Sequence, residues 1–328
     1  MTFTMIKDIH HYPELSDPQL RPRYSGVATF FRTPLVEVLN GVDIGVLGIP
    51  FDGGVTNRTG ARHGPRAVRE QTTLVRRYNQ ATGIGPFDLV RVADVGDAWL
   101  EKPYELTGAL KEIEAVVAKL HEAGTIPLSV GGDHSVTLPV LRAISRDGPI
   151  GLVHIDAHCD TGDDYLGSRF HHGAPFRRAV EEGLIDPKRT IQIGIRGSIN
   201  HPDMWKFSHD SGMRVVYMEE FTDKGWRWAA EEALRVVGAG PAYLSFDVDG
   251  LDPVFAPGTG TPESGGISMV EAQRFIRAVQ GLNFVGGDVV EVSPPFDPSG
   301  LTAQNAANIL FEVLCVLAVA HQQRKAQP

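Results

Sequence analysis

Three short segments of the chain are dense in ionisable residues, and each follows an apolar, β-branched run. HIDAHCD (154–160) continues the run IGLV and places Asp156, His158 and Asp160 at alternate positions. SVGGDHS (129–135) sets His134 just past two glycines, and SFDVDGLDP (245–253) sets Asp247 and Asp249 two apart. Side chains alternate across an extended chain, so residues two apart project to one side. The set amounts to two imidazoles and four carboxylates. Crowding that many carboxylates without partners is costly, and a divalent cation removes the cost. Six ligands with a carboxylate majority are too many for one tetrahedral zinc. They suit two ions that share bridging carboxylates, with Mn²⁺ the expected metal and nickel also tolerated. Two such ions roughly 3.5–4 Å apart can hold a hydroxide between them and polarise the atom it attacks.

Simpler readings exist for single residues. Asp133, between the glycines and His134, is equally suited to cap a helix N-terminus. Asp252, before Pro253, reads as a turn residue. Cys159 points away from His158 and reads as a small packing residue. His171 and His172 lie in a loop, SRFHHGAPF, where solvation is the default; their position after HIDAHCD makes one of them a candidate proton carrier. Three strand ends with one polar pattern are much harder to explain by turn chemistry alone.

The elements that must hold these residues follow from periodicity. Strands are expected at 42–49, 89–95, 125–130, 150–156, 190–195, 213–218, 242–249 and 284–292. Amphipathic stretches of helical period lie between most of them, as at 106–124, which ends on a helix stop at Gly124, and at 269–281. Strand–helix alternation implies a parallel sheet with helices on its faces. About eight such units fit either a closed (β/α)8 barrel or an open doubly wound sheet, and both place functional residues at the C-terminal ends of strands. Residues 1–26 read as an irregular N-terminal arm, and 27–328 as a single α/β domain.

Composition bounds the rest. A formal charge of −9 argues against nucleic acid or an anionic membrane as partner. Two cysteines, Cys159 and Cys315, make a disulfide framework unexpected and suit a reducing compartment. The first residues lack a signal-peptide core, and the apolar run VLCVLAVA is too short for a membrane span, so a cytoplasmic protein is expected.

GGDHS, DAHCD and SFDVDGLDP, with the spacing between them, resemble the three metal-binding signatures of the ureohydrolases, the arginase and agmatinase family. The likeness extends through NRTGARHGPRAVRE, HHGAPFRRAVEEGLIDP, APGTGTPESGG and DVVEVSPPFD, and is strongest to the bacterial guanidinopropionase, guanidinobutyrase and agmatinase branch. The resemblance implies a three-layer α/β/α fold with an eight-stranded parallel sheet and a two-manganese site. It implies His134, Asp156, Asp160 and Asp247 around one ion, and Asp156, His158, Asp247 and Asp249 around the other. It also implies His172 as proton shuttle, Glu291 as the carboxylate that receives a guanidinium, and a trimer or hexamer; in the mechanism expected from this, Asp160 helps steady the tetrahedral intermediate. The activity implied is hydrolysis of a linear guanidino compound to urea and an amine. For the far end of the substrate, Arg62 in the loop FDGGVTNRTGARHGPR and Tyr165 in GDDYLG are the candidates. A basic loop favours a carboxylate tail. The expected order is therefore 3-guanidinopropionate, 4-guanidinobutyrate, then agmatine, with guanidine or a substituted biguanide as further alternatives. Another metal-dependent amidohydrolase of formimino or deacetylase type, the latter with a single zinc, a non-catalytic subunit and a simple metal-binding protein are the rival classes.

Overall fold

Runs such as IGVLGI and IGLVHI are buried along their whole length, as strands covered on both faces must be. The computed structural model of the protein describes residues 22–326. At its centre lies one sheet of eight strands: β1 (Ile44–Ile49), β2 (Val92–Asp97), β3 (Ile126–Gly131), β4 (Ile150–Ile155), β5 (Ile185–Ile195), β6 (Arg214–Tyr217), β7 (Pro241–Asp247) and β8 (Asn283–Val290). Every pairing in it is parallel, in the order β2-β1-β3-β8-β7-β4-β5-β6. The sheet is open, with β2 and β6 at its edges, which decides against the barrel.

Helices cover the faces: α1 (Gly64–Gln71), α2 (Pro86–Leu89), α3 (Leu106–Glu122), α4 (Thr137–Ile144), α5 (Pro175–Glu181), α6 (Lys206–Ser211), α7 (Met218–Val237), α8 (Met269–Ala278) and α9 (Leu301–Ala326). In α3 the buried residues Ala109, Leu110, Ile113, Val117 and Leu120 recur at helical spacing, and the chain leaves through Gly124 at φ +73°. Helix α8 starts at a reciprocal capping box between Ser268 and Glu271. VLCVLAVA sits within α9, whose 26 residues are long and apolar enough to cross a membrane, contrary to the shorter run read from the sequence. Most of that stretch is buried inside the fold, packed on β8, which accounts for its composition.

Two expectations need correction or limit. The arm at 1–26 lies outside the described residues except for 22–26. Strand alternation is not what gathers Asp156, His158 and Asp160, because β4 ends at Ile155 and the three lie in the bends that follow. Likewise β7 ends on Asp247, and Asp249 belongs to a 3-10 turn, Val248–Gly250.

The turn after β3 is set by contact with the turn after β1. Gly132 N–H donates to Ile49 O at 2.8 Å, and a Cβ on Gly132 would lie 1.5 Å from Phe51 O. Only glycine lets these backbones meet, and the meeting fixes Asp133 and His134. Gly132→Ala is expected to lose about 3 kcal/mol of stability, the upper end for overpacking. A urea-denaturation midpoint unchanged by the substitution would show that the turn has room to spare.

Candidate metal centre

Four neighbouring strands of the sheet, β3, β8, β7 and β4, end at one place. Their C-terminal ends carry Asp133 and His134, Glu291, Asp247 and Asp249, and Asp156 to Asp160 respectively. This is where the chain order switches from one half of the sheet to the other, the position at which open α/β sheets bind ligands.

One local device recurs at three of the ends. Asp133, Asp156 and Asp247 each accept, through Oδ1, the backbone N–H two residues on, at 2.9, 2.6 and 2.8 Å. These Asx-type turns stop the strand and hold each carboxylate against its own loop. Asp160 at φ +51° and Glu291 at φ +65° add two left-handed residues, held by Phe176 N–H on Asp160 O and by Glu291 N–H on Gly132 O. Strained backbone of this kind persists only where the surroundings over-determine it.

The six residues expected to hold metal converge. His134 Nδ1 lies 3.2, 3.0 and 3.2 Å from one oxygen each of Asp156, Asp160 and Asp247. His158 Nδ1 lies 3.3 Å from the other oxygen of Asp156 and 3.2 Å from Asp249. Asp156 thus turns one oxygen to each imidazole, as a bridging carboxylate would. Asp247 offers Oδ2 to this centre, its Oδ1 being held by Asp249 N–H.

The donor set fits a cation. Ser245 Oγ donates to Asp288 Oδ1 at 2.7 Å, so it receives the proton on His134 Nε2 at 2.9 Å. That leaves Nδ1 as a lone pair, buried and without a hydrogen-bond partner, facing three carboxylate oxygens. Without a cation this arrangement is repulsive, and protons are drawn in. Burial opposes charge on His134, but Asp156, Asp160 and Asp247 override it and hold its pKa well above the ordinary value. Burial, then the carboxylates of Asp249 and Asp156, push Asp247 far up; burial and Asp156 raise Asp249 to about 6.

His172 and Glu291 stand beside this cage. Glu291 Oε1 accepts His134 N–H at 2.8 Å and lies 3.0 Å from His172 Nδ1. His172 Nε2 lies 2.8 Å from the Thr56 hydroxyl. Burial works against the imidazolium, yet Glu291, Asp133 and Asp160 raise His172 to about 9. His171 instead reaches Asp163 O at 3.1 Å and packs on the Tyr165 ring, so the two adjacent histidines are told apart by position. Glu291 is buried behind His172 and its Oε2 takes no part in these bonds.

A cavity of about 350 Å³ opens over the cage. Asp160, His158, Asp247, Asp249 and His172 face it from the inside; Tyr165, Ser198, Asn200, Met204 and Trp205 form its outer wall. Tyr165 is held by a tight turn in which it exchanges backbone bonds with Ser168. The basic loop reaches the cavity through Thr56, but its arginines and His63 do not line it. Arg62 pairs with Asp52, Arg58 donates to the carbonyls of Gly260 and Thr259, and His63 and Arg66 are exposed elsewhere. Arg58 and Arg62 thus hold loops, and Arg62, expected to meet the substrate, does not line this cavity.

The simpler readings of the single residues agree with the contacts. Asp133 caps the turn at Ser135 and also accepts Gly54 N–H; Asp252 collects the N–H groups of Val254, Gly265 and Gly266; Cys159 is buried beside Ile195, Trp205 and Val215. Supporting residues were missed. His154, near the end of β4, sits 2.8 Å from Asp156 Oδ2; Gln192 donates to its other nitrogen, so its Nε2 carries the proton and supports Asp156. Its place in HIDAHCD was the available signal. Asp288 collects Ser245, Thr137 and Tyr243, and nothing in its own segment marks it. Ser245→Ala removes the acceptor that fixes the His134 tautomer. Divalent-ion affinity is expected to fall roughly 10- to 100-fold, measured by chelator competition; unchanged affinity would show that the tautomer is set otherwise.

The arginase family profile matches residues 42–316. A guanidinopropionase of Pseudomonas aeruginosa is 54% identical over 308 residues, which cover 94% of this chain and 96% of that protein. The mitochondrial agmatinase of Gallus gallus is 48% identical over 293 residues, covering 89% and 86%. The solved proclavaminate amidinohydrolase of Streptomyces clavuligerus superposes with a TM-score of 0.88 at 41% identity, over 91% of this chain and 99% of that one. With an open eight-stranded parallel sheet and a histidine–aspartate cage at its switch point, this chain belongs to the arginase family.

Proposed function

We infer that the chain hydrolyses a linear guanidino compound to urea and an amine, with a short guanidino acid as substrate. The observation that carries the reaction is the buried cage of His134, Asp156, His158, Asp160, Asp247 and Asp249, open to a cavity and flanked by a proton-bearing histidine. Those six residues would hold two divalent ions, with Mn²⁺ favoured by the carboxylate majority and nickel compatible with the imidazoles. When bound, such a pair supplies an ionised water near neutral pH and neutralises charge that builds on the substrate. The remaining tasks fall to side chains. Glu291 Oε2 pairs with the planar N–H groups of the guanidinium. His172 holds a proton between Glu291 and Thr56, ready for the leaving amine. Asp160, at the cavity face, steadies the tetrahedral intermediate by accepting hydrogen bonds from it.

Support for an acid tail comes from the guanidinopropionase likeness and from neutral donors at the outer wall, Ser198, Asn200 and Tyr165. Asp163 at that wall is neutralised by Arg177 and Arg178, both at 2.9 Å. The second reading is agmatine, favoured by Asp164 at the same wall and by the agmatinase likeness. We also propose a trimer or hexamer, on the family resemblance, and a cytoplasmic setting, on two free buried cysteines.

Urea release should be measured with Mn²⁺- and Ni²⁺-loaded protein on guanidinoacetate, 3-guanidinopropionate, 4-guanidinobutyrate, arginine, agmatine, guanidine and metformin. Preference for 3-guanidinopropionate or 4-guanidinobutyrate is expected; preference for agmatine overturns the acid reading, and no urea from any of them overturns the reaction. Asp156→Asn should lose both ions and all turnover, since Asp156 faces both imidazoles. Full metal content and turnover in that variant would reassign the cage.

A further inference from the structure

Arg196 follows β5 directly and is buried. Its guanidinium makes six hydrogen bonds, all to backbone carbonyls: Gly194 at 3.0 Å, Asp249 at 2.6 Å, Gly250 at 3.2 Å, Leu251 at 3.1 Å, and Glu263 at 3.2 and 2.7 Å. Its own N–H donates to Ala157 O at 2.9 Å, and Ala157 N–H donates to Asp249 Oδ1 at 3.1 Å. One residue therefore ties the turn that carries Asp249 to the bend that carries His158. The slot is built for it: a Cβ on Gly266 would lie 2.5 Å from Arg196 Nη2.

The chemistry suits a positioning role. A 3-10 turn ends with carbonyls that have no partner within it, and Val248–Gly250 presents several in one small space. Five N–H donors in a fixed planar fork can collect them; an ammonium is a point charge with three donors and no such shape. None of these bonds reaches β3. His134 is held instead by Ser245 through its ring and by Glu291 through its backbone.

We propose that Arg196 is a positioning residue for one half of the cage, setting Asp249 against His158 and leaving the His134 half to other contacts. The proposal rests on the two-ion reading of the cage given above. It predicts unequal damage. Removing the fork frees the Asp249 turn and weakens the ion between His158 and Asp249, while the ion beside His134, Asp160 and Asp247 stays.

The test uses Mn²⁺ itself as probe on full-length, chelator-stripped protein. Stoichiometry and affinity are read by competition with a chelator, and pairing of the ions by electron paramagnetic resonance. Wild type should bind two ions with the spectrum of a coupled pair. In Arg196→Met one ion should bind roughly 10- to 100-fold more weakly, the usual size of an outer-sphere effect, and at limiting Mn²⁺ the spectrum should be that of an isolated ion. Arg196→Lys keeps the charge with fewer, unshaped donors; it should show the same one-sided weakening, and it decides the matter if Arg196→Met does not fold. Wild-type affinity for both ions in a folded variant overturns the proposal. So does equal weakening of both, which a general loss of stability would give. So does tighter binding in Arg196→Met, the result if charge repulsion outweighed positioning. Failure of wild type to bind two ions would instead sink the two-ion reading on which the proposal stands.

Discussion

Four aspartates, Asp156, Asp160, Asp247 and Asp249, are buried within bonding distance of two imidazoles, and the rest of the molecule is arranged around that fact. Carboxylates repel one another and lose their hydration when buried, so such a group persists only if something positive joins it or if the fold forbids it to separate. Both conditions are visible. The lone pair of His134 Nδ1 and the oxygens around it define a place for a cation. The Asx-type turns after β3, β4 and β7, the left-handed residues Asp160 and Glu291, and the glycine contact between the β1 and β3 turns remove the freedom to spread apart.

The sheet order is what makes this possible. Segments more than a hundred residues apart, at 134 and 249, become neighbours because β8 and β7 return between β3 and β4. Beneath the cage the same strands carry a second polar layer. Tyr243, Ser245 and Asp288 lie on β7 and β8, and His154 and Gln192 on β4 and β5. Each is buried and bonded; Ser245 and His154 meet His134 and Asp156 of the cage, and Asp288, Tyr243 and Gln192 hold those two in place directly or through one another. A sheet of purely apolar strands would have carried the aspartates equally well but left their partners free to turn.

This division explains what could be read from the sequence. The eight strands and the cage residues were legible, because buried strands are written as apolar runs and carboxylates ending such runs stand out. The reason for their convergence was not: alternation was expected for Asp156, His158 and Asp160, whereas turns past the end of β4 gather them. Strand order came only with the family resemblance, since periodicity describes a strand and not its neighbours. Glu291 was reached the same way, being one glutamate in an unremarkable segment. Asp288, Ser245 and Arg196 have partners that are defined only once the strands are side by side. The loop carrying Arg58 and Arg62 shows a related limit, because charge in a sequence does not reveal whether it is already engaged, as both are here.

Arginines in this chain repeatedly serve backbone rather than substrate. Arg58 holds Gly260 and Thr259, Arg196 holds Asp249 through Leu251 and Glu263, and both act on the segment that brings Thr261 to within 3.2 Å of Asp249. A guanidinium is weakly hydrated and rich in donors, so it can satisfy several carbonyls that a strand end leaves open. There is a further consequence in an enzyme whose own substrate is a guanidinium. Arg58 and Arg196 carry the same group as that substrate, and both are engaged by backbone carbonyls. Tying them to carbonyls leaves Glu291 and the aspartates to other partners and braces the segment beside the cage. The outer wall, built from Tyr165, Ser198, Asn200, Met204 and Trp205 on loops, carries none of that duty.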